Sequence, residues 1–221
     1  MIHIFDVDNT VIKRTSAWYF LLDALKEKLI KYSQVNRLPV DLIKYKLARP
    51  DNDFIENVVK NLAGIKKSEL ERIAEICFEN RIKDNIYTGI MEIINDILQK
   101  GERAIFATSS FDFIVYPLEK FLKIEGSLAT KMEYNNGCTT GLLSGESLFG
   151  VKKKEACKIW MKQNNIDPKD TCFYSDSYTD IPLLEYCGIA VAVNPDRILK
   201  KEAKKRGWKI LRLKETGTCL K

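Results

Sequence analysis

Residues 2–10 read IHIFDVDNT. Ile2 to Phe5 make a short apolar run, interrupted only by His3, with the length and character of a buried strand, and the run stops at two acids. In extended backbone, residues two apart project to the same side. Asp6 and Asp8 therefore share a side while Val7 points away. At the carboxyl end of a parallel strand that side opens into the crevice where α/β sheets take their ligands. Two carboxylates so close repel, so either a cation lies between them or one keeps its proton. The competing reading, an ordinary turn of Asp and Asn, weakens once the other strand ends are inspected.

Working outward, further apolar runs end in polar or glycine-containing segments: AIFA before Thr108, CFY before Ser175, IAVAV before Asn194, and WKILRL near the end. Continuous runs of this kind predict buried strands of a parallel sheet. Helical patterns lie between them. GIMEIINDILQK, for example, has its apolar residues on one face and stops at Gly101. The alternation predicts an α/β fold with a Rossmann-like parallel core. It breaks between about Thr15 and Thr88, where WYFLLDALKEKLIKY and KSELERIAEICFENRI read as helices and no convincing strand occurs. Pro39, Pro50 and Gly64 supply the breaks in that interval. Residues 15–88 are thus expected to form a small all-helical cap inserted after the first strand, with residues 1–14 and 89–221 forming the core. Ser127 to Leu148, with its NNG, TTG and LSG turns, reads as a small hairpin excursion.

Composition removes several classes of function. The 221 residues are 45% hydrophobic, enough for a real core, and the longest apolar stretches, such as Ile189 to Val193, are far short of the ~20 residues of a membrane-spanning helix. The amino terminus lacks the basic start and apolar stretch of a signal peptide, so a cytoplasmic location is expected. Six cysteines without a C-x-x-C pair and a single histidine, His3, exclude a zinc site by spacing; the cysteines read as reduced core residues, and His3 as a surface or edge residue of its strand. The net charge of +6, concentrated in Lys152–Lys154 and Lys200–Arg206, lacks the interleaved aromatics of a nucleic-acid platform. KKEAKKRG reads instead as the solvated face of a helix closed by Gly207. No nucleic acid or membrane insertion is expected, and a mild positive field would gather an anionic substrate.

The remaining strand ends carry the chemistry. Thr108, Ser109 and Ser110 offer hydroxyls and backbone amides suited to phosphate oxygens, although such residues also cap helices. FYSDSYTDIP places Asp176 and Asp180 four apart, on one face if the chain turns helical, with Pro182 suited to the first turn; Asp180 could equally be a plain helix cap. A lysine run precedes KKKEACKIW. Magnesium prefers carboxylate oxygens together with substrate phosphate, and lysine offsets phosphate charge.

Together these segments resemble the haloacid dehalogenase superfamily, in its phosphoserine phosphatase-like branch, subfamily IB. The D-x-D-x-T signature stands as Asp6, Asp8 and Thr10, the strand-end hydroxyl as Thr108, the lysine by register as Lys153 with Lys152 and Lys154 as alternatives, and the last acidic motif as Asp176 with Asp180. The resemblance implies a phosphatase in which Asp6 becomes an aspartyl phosphate and Asp8 serves as acid and then base. It implies Mg2+ held by Asp6, the Asp8 backbone carbonyl and Asp176, with Lys153, Thr108 and Ser109 holding phosphoryl oxygens and Asp180 orienting the lysine. The helical interval would be a mobile cap, with Lys13, Arg14, Ser16, Trp18 and Tyr19 as candidate leaving-group contacts. The substrate expected is a small phosphorylated metabolite. Phosphoserine itself fits less well, because VIKRTSAWY has no acid where that enzyme tends to carry one for the serine ammonium, and because Ser109 and Ser110 replace its glycines. A phosphotransferase using the same aspartyl phosphate is the alternative. A response-regulator receiver would instead place its acidic pair adjacently on the first strand and its phosphoacceptor later.

Overall fold

The computed structural model describes residues 1–31 and 59–213; Pro39, Pro50 and Cys219 lie outside the described residues. In chain order these comprise β1 (Ile2–Phe5), α1 (Ser16–Lys26), α2 (Lys67–Cys77), a π turn (Phe78–Ile82) and a 3-10 turn (Lys83–Asn85), α3 (Thr88–Gln99), β2 (Arg103–Phe111), α4 (Asp112–Leu122), β3 (Ser127–Thr130), β4 (Met132–Asn135), β5 (Cys138–Leu143), α5 (Val151–Gln163), β6 (Thr171–Ser175), α6 (Ile181–Leu184), β7 (Ile189–Val193), α7 (Arg197–Arg206) and β8 (Lys209–Leu211).

The sheet has the order β3-β2-β1-β6-β7-β8, and every pairing in it is parallel. A parallel sheet must be covered on both faces. On one face Ile4, Ile105, Phe173 and Ala192 pack with Cys157 and Met161 of α5, Leu183 of α6, and Leu199 and Ala203 of α7. On the other, Phe5, Phe106, Tyr174 and Val193 share a core with Ile90, Ile94 and Ile97 of α3 and with Leu70, Ile73 and Cys77 of α2. Phe5 stacks on Tyr174 at a centroid distance of 4.3 Å. The helix α7 ends as its sequence predicts, with Gly207 left-handed at φ 68 and Lys204, Lys205 and Arg206 in the last turn. Among the described cysteines all are free and most are buried.

The structure corrects three sequence expectations. His3 is neither at the surface nor at an edge, because β1 is central in the sheet. The residue is 7% exposed, with Nδ1 3.1 Å from the Tyr174 hydroxyl and Nε2 2.8 Å from Glu102 Oε2. Residues 127–148 are not all hairpin. Ser127–Thr130 is the edge strand β3 of the main sheet, and only β4 and β5 form the antiparallel pair, turning through Asn136 (φ 50) and Gly137 (φ 77), the two-residue left-handed turn that an Asn-Gly pair favours. The TTG segment is strand rather than turn. Gly141 lies in β5 at φ 83, and a Cβ there would stand 3.0 Å from Ala63 Cβ. Thirdly, β2 does not stop at Thr108 but runs to Phe111, with its register to β3 shifting between Ala107 and Phe111.

The interval between β1 and α3 leaves and rejoins the sheet at adjacent points. Lys13 donates its amide to the Asn85 carbonyl at 2.9 Å, and Tyr87 donates to Val11 at 2.9 Å. The hairpin clasps the same interval. Gly64 donates to Thr139 O, Thr139 to Ile65 O, and Lys67 to Gly137 O, at 2.8, 2.9 and 2.8 Å.

Candidate active site

Strand order reverses direction between β1 and β6: β2 and β3 build outward on one side, β7 and β8 on the other. That switch point is where an open α/β sheet leaves a crevice at its strand ends. Asp6 follows β1 there, its amide donating to Tyr174 O of β6 at 2.9 Å, and Asp176 follows β6. Beyond Asp8 the chain turns sharply. Asn9 takes φ 59, and the Val7 carbonyl accepts the amides of Thr10, Val11 and Ile12. The turn brings the Thr10 hydroxyl back to Asp176 Oδ1 at 3.3 Å.

Lys153 is the lysine that reaches this crevice. On α5 it shares the inner face with Cys157 and Met161, at the i, i+4 and i+8 positions. Its ammonium, 4% exposed, lies 2.8 Å from Asp6 Oδ1 and 2.7 Å from Asp180 Oδ2. Lys152 points outward to Glu146, and Lys154 sits over the Tyr186 ring. Asp180 occupies the N-cap position of α6, as expected of a possible cap, but makes no side-chain capping bond; its Oδ2 accepts from Ser175 Oγ at 2.7 Å as well as from the lysine. Its Oδ1 is buried without a hydrogen-bond partner.

The two acids of the first strand have unlike partners. Asp6 faces the buried ammonium. Asp8 is held by the Ser16 amide at Oδ1, 2.8 Å, and by the Ser110 hydroxyl at Oδ2, 3.0 Å. The electrostatics follow the surplus of carboxylates over ammonium. Burial pushes Asp6 up to about 7 against the pull of Lys153, with Asp180 and Asp8 adding to the rise. Burial, then the charges of Asp6 and Asp180, raises Asp176 well above the carboxylate range. Asp8 is raised by burial and restrained by its bonds to Ser16 and Ser110. Burial opposes the charge on Lys153, but Asp180 and Asp6 more than offset it and hold the ammonium above the usual lysine range.

Thr108 is fully buried and accepts the Ser110 amide at 3.1 Å, which leaves its own hydroxyl hydrogen available to an acceptor. The Ser109 carbonyl is pinned by the Thr130 hydroxyl at 2.8 Å, while its side chain is half-exposed. The structure therefore brings Asp6, Asp8, Thr10, Thr108, Ser110, Lys153, Asp176 and Asp180 to one crevice. Of the suggested leaving-group contacts, Ser16 faces Asp8, Tyr19 is buried in the core, Lys13 and Trp18 are half-buried, and Arg14 is exposed. Sequence reading missed Ser175 behind Asp180, and Asp196, whose amide donates to Asp176 O at 2.9 Å and whose carboxylate accepts the Tyr178 amide at 2.6 Å. The NPD that follows β7 was the visible trace of Asp196; nothing local marked Ser175.

The haloacid dehalogenase-like hydrolase profile matches residues 4–185. The chain belongs to that family. Over 211 residues it is 32% identical to phosphoserine phosphatase SerB1 of Mycobacterium tuberculosis, covering 93% of this chain and 68% of that protein. A histidinol-phosphatase of Neisseria meningitidis serogroup C is 29% identical over 220 residues, 96% of this chain and 98% of its own. Among solved structures, a protein of unknown function from Bordetella pertussis Tohama I superposes with a TM-score of 0.84 at 24% identity, covering 95% of this chain and 96% of the other. That likeness shows the fold. With relatives named as phosphatases, this member of the haloacid dehalogenase-like family is a phosphatase-type hydrolase. Among the described residues no helix is long and apolar enough to cross a membrane.

Proposed function

We propose that the chain hydrolyses the phosphate monoester of a small metabolite in two displacements. The observation that carries this is the division of partners between the two acids: Asp6 against a buried ammonium, Asp8 against neutral donors. Carboxylates in environments so unlike suit different roles. An Asp6 oxygen attacks phosphorus, and the bond from phosphorus to the ester oxygen breaks as Asp8 gives that oxygen its proton. Asp8, now a base, takes a proton from water, which attacks the aspartyl phosphate; phosphate leaves and Asp6 is regenerated. Lys153, Thr108 and Ser109 hold the phosphoryl oxygens, and Asp180 orients the lysine.

The donor set fits magnesium. Among the described residues no three His, Cys, Asp or Glu side chains gather as a metal cluster. What the crevice offers is the carboxylates of Asp6 and Asp176 with the backbone carbonyl of Asp8, and magnesium is ordinarily held by one or two carboxylates plus substrate phosphate. A bound Mg2+ would neutralise phosphoryl charge, and the surplus of acids at Asp6 and Asp176 gives it reason to bind. The described part of the interval 15–88, whose α1 and α2 share a core with one face of the sheet, would act as the cap over the crevice.

Relatives named for phosphoserine and histidinol phosphate put both esters on the substrate list. The lack of an acid in VIKRTSAWY, the stretch after the signature where one would meet a serine ammonium, ranks phosphoserine lower. The test is phosphate release from a panel containing both esters, glycerol 3-phosphate and nucleoside monophosphates, with magnesium or with chelator, for the wild type and Asp6→Asn. Release that needs magnesium and disappears in Asp6→Asn is expected. Equal release from the variant would overturn the role of Asp6, and no release from any ester would overturn the hydrolase reading as proposed.

A further inference from the structure

Two buried hydroxyls stand beside Asp8. Ser110, near the end of β2, donates its hydroxyl hydrogen to Asp8 Oδ2 at 3.0 Å. Ser16, the first residue of α1, donates its amide to Asp8 Oδ1 at 2.8 Å, and its own hydroxyl lies 2.6 Å from that of Ser110. A hydroxyl carries a single hydrogen. The two hydroxyls carry two hydrogens between them, one spent on the contact between the pair and one on Asp8, so neither is left for a substrate phosphate. The Ser110 amide is likewise engaged, by Thr108 Oγ1 at 3.1 Å. The serines are 1% and 5% exposed, for Ser16 and Ser110 respectively.

Each oxygen of Asp8 is therefore held from a different element, one at the start of α1 and one at the end of β2. A carboxylate held at one oxygen can still swing about its last torsion, whereas a hold on both fixes its plane. Fixing that plane matters where a proton must reach one particular oxygen, since misplacement by an ångström costs about 100-fold.

We propose that Ser110, supported by Ser16, is a positioning residue that aims Asp8 at the leaving-group oxygen. The inference rests on the reading of Asp8 as the group that protonates that oxygen. The carbonyl oxygen of a carboxylic acid accepts as a carboxylate oxygen does, so Ser110 keeps donating to Asp8 in both halves of the reaction and leaves the acid's own proton free for the leaving-group oxygen. Ser110 thus serves the acid rather than the phosphate, although it stands in a run of hydroxyls that reads as a phosphate cradle.

The test compares kcat/KM for two esters: the alkyl phosphate of the panel turned over fastest, whose alkoxide needs a proton to leave, and p-nitrophenyl phosphate, whose phenolate does not. This ratio reports steps up to departure of the leaving group. Ser110→Ala is expected to lower it for the alkyl ester by about 10- to 100-fold and to leave the aryl ester nearly unchanged, with Ser110→Thr restoring most of the loss. Equal losses on both esters, or no loss on either, overturn the proposal. Asp8→Asn run in parallel separates the two levels. If it lacks the alkyl-selective loss, the reading of Asp8 falls; if it has that loss and Ser110→Ala does not, only the positioning role falls. Should melting show that Ser110→Ala is unfolded, Ser16→Ala breaks the same chain from α1 and is judged by the same two esters: an alkyl-selective loss supports the proposal, and equal losses or none overturn it.

Discussion

Lys153→Met removes the ammonium between Asp6 and Asp180 while keeping an unbranched side chain of similar reach. In the native site that ammonium makes contacts of 2.8 and 2.7 Å and is 4% exposed, so water cannot readily take its place. Removing one partner of a buried ion pair costs about 3–5 kcal/mol, because the remaining charge is left uncompensated. At about 2–4 °C of melting temperature per kcal/mol for a chain of this size, the midpoint falls by about 6–20 °C. The penalty depends on pH, and its sign follows from Asp6. With the lysine present, burial already pushes Asp6 up to about 7 from 3.8, and Lys153 is the main influence holding it down. Without the lysine the folded-state value rises further while the unfolded value stays. Between the two values the folded chain binds the extra proton, so stability falls as pH rises through the window. The variant should lie near the wild type at about pH 4 and furthest below it above about pH 7. Melting curves in chelator across that range measure the gap, and adding Asp180→Asn to Lys153→Met should recover part of it at high pH. A gap that is the same at every pH, or absent at pH 8, refutes the reasoning.

The same linkage applies to the wild type. Asp6 and Asp176 are both raised, so their contribution to stability is largest at low pH and is lost as pH rises through their folded values; added magnesium should lift the melting midpoint more at pH 8 than at pH 5, and equal lifts would contradict this. Gly141→Val places a branched side chain at φ 83, with its Cβ 3.0 Å from Ala63 Cβ, and should cost about 1–3 kcal/mol in denaturant titration by forcing the hairpin away from the turn that carries Ala63. Thr130→Val removes the donor to Ser109 O and the acceptor for the Leu148 amide, costing about 1–3 kcal/mol and lowering kcat/KM as Ser109 shifts; a variant of native stability and activity would count against that role.

Much of the fold was legible because buried parallel strands are short continuous apolar runs, and IHIF, CFY and IAVAV are of that kind. The strand order was not legible, since it depends on which helices cover which face. The error on His3 has the same source. A histidine two residues from a terminus is ordinarily exposed, but β1 lies between β2 and β6, where Tyr174 and Glu102 reach the ring from distant parts of the chain. Ser127–Thr130 escaped detection because an edge strand needs no apolar run, and SLAT, half polar, lies next to a segment full of turn residues. Gly141 misled for the opposite reason. Its left-handed backbone looks like a turn, yet the missing side chain serves a close approach to Ala63.

The site divides along the same line. That Asp6 and Asp8 share a side follows from the two-residue period of extended chain alone, and that they face a ligand crevice follows from their place at the end of a parallel strand. Their different environments follow from neither. Asp6 meets Lys153, 147 residues away, because α5 turns that one lysine inward, while Lys152 points out to Glu146 and Lys154 lies over the Tyr186 ring. Asp8 meets Ser110, 102 residues away, because β2 continues past Thr108 instead of ending there, and meets Ser16 because the turn held by the Val7 carbonyl returns the chain toward the acid. A strand that stopped at Thr108 would leave Ser110 in a loop and Asp8 with a single donor. The unlike surroundings of two identical side chains are thus a consequence of strand length and helix phase, and those are set by core packing far from the carboxylates themselves.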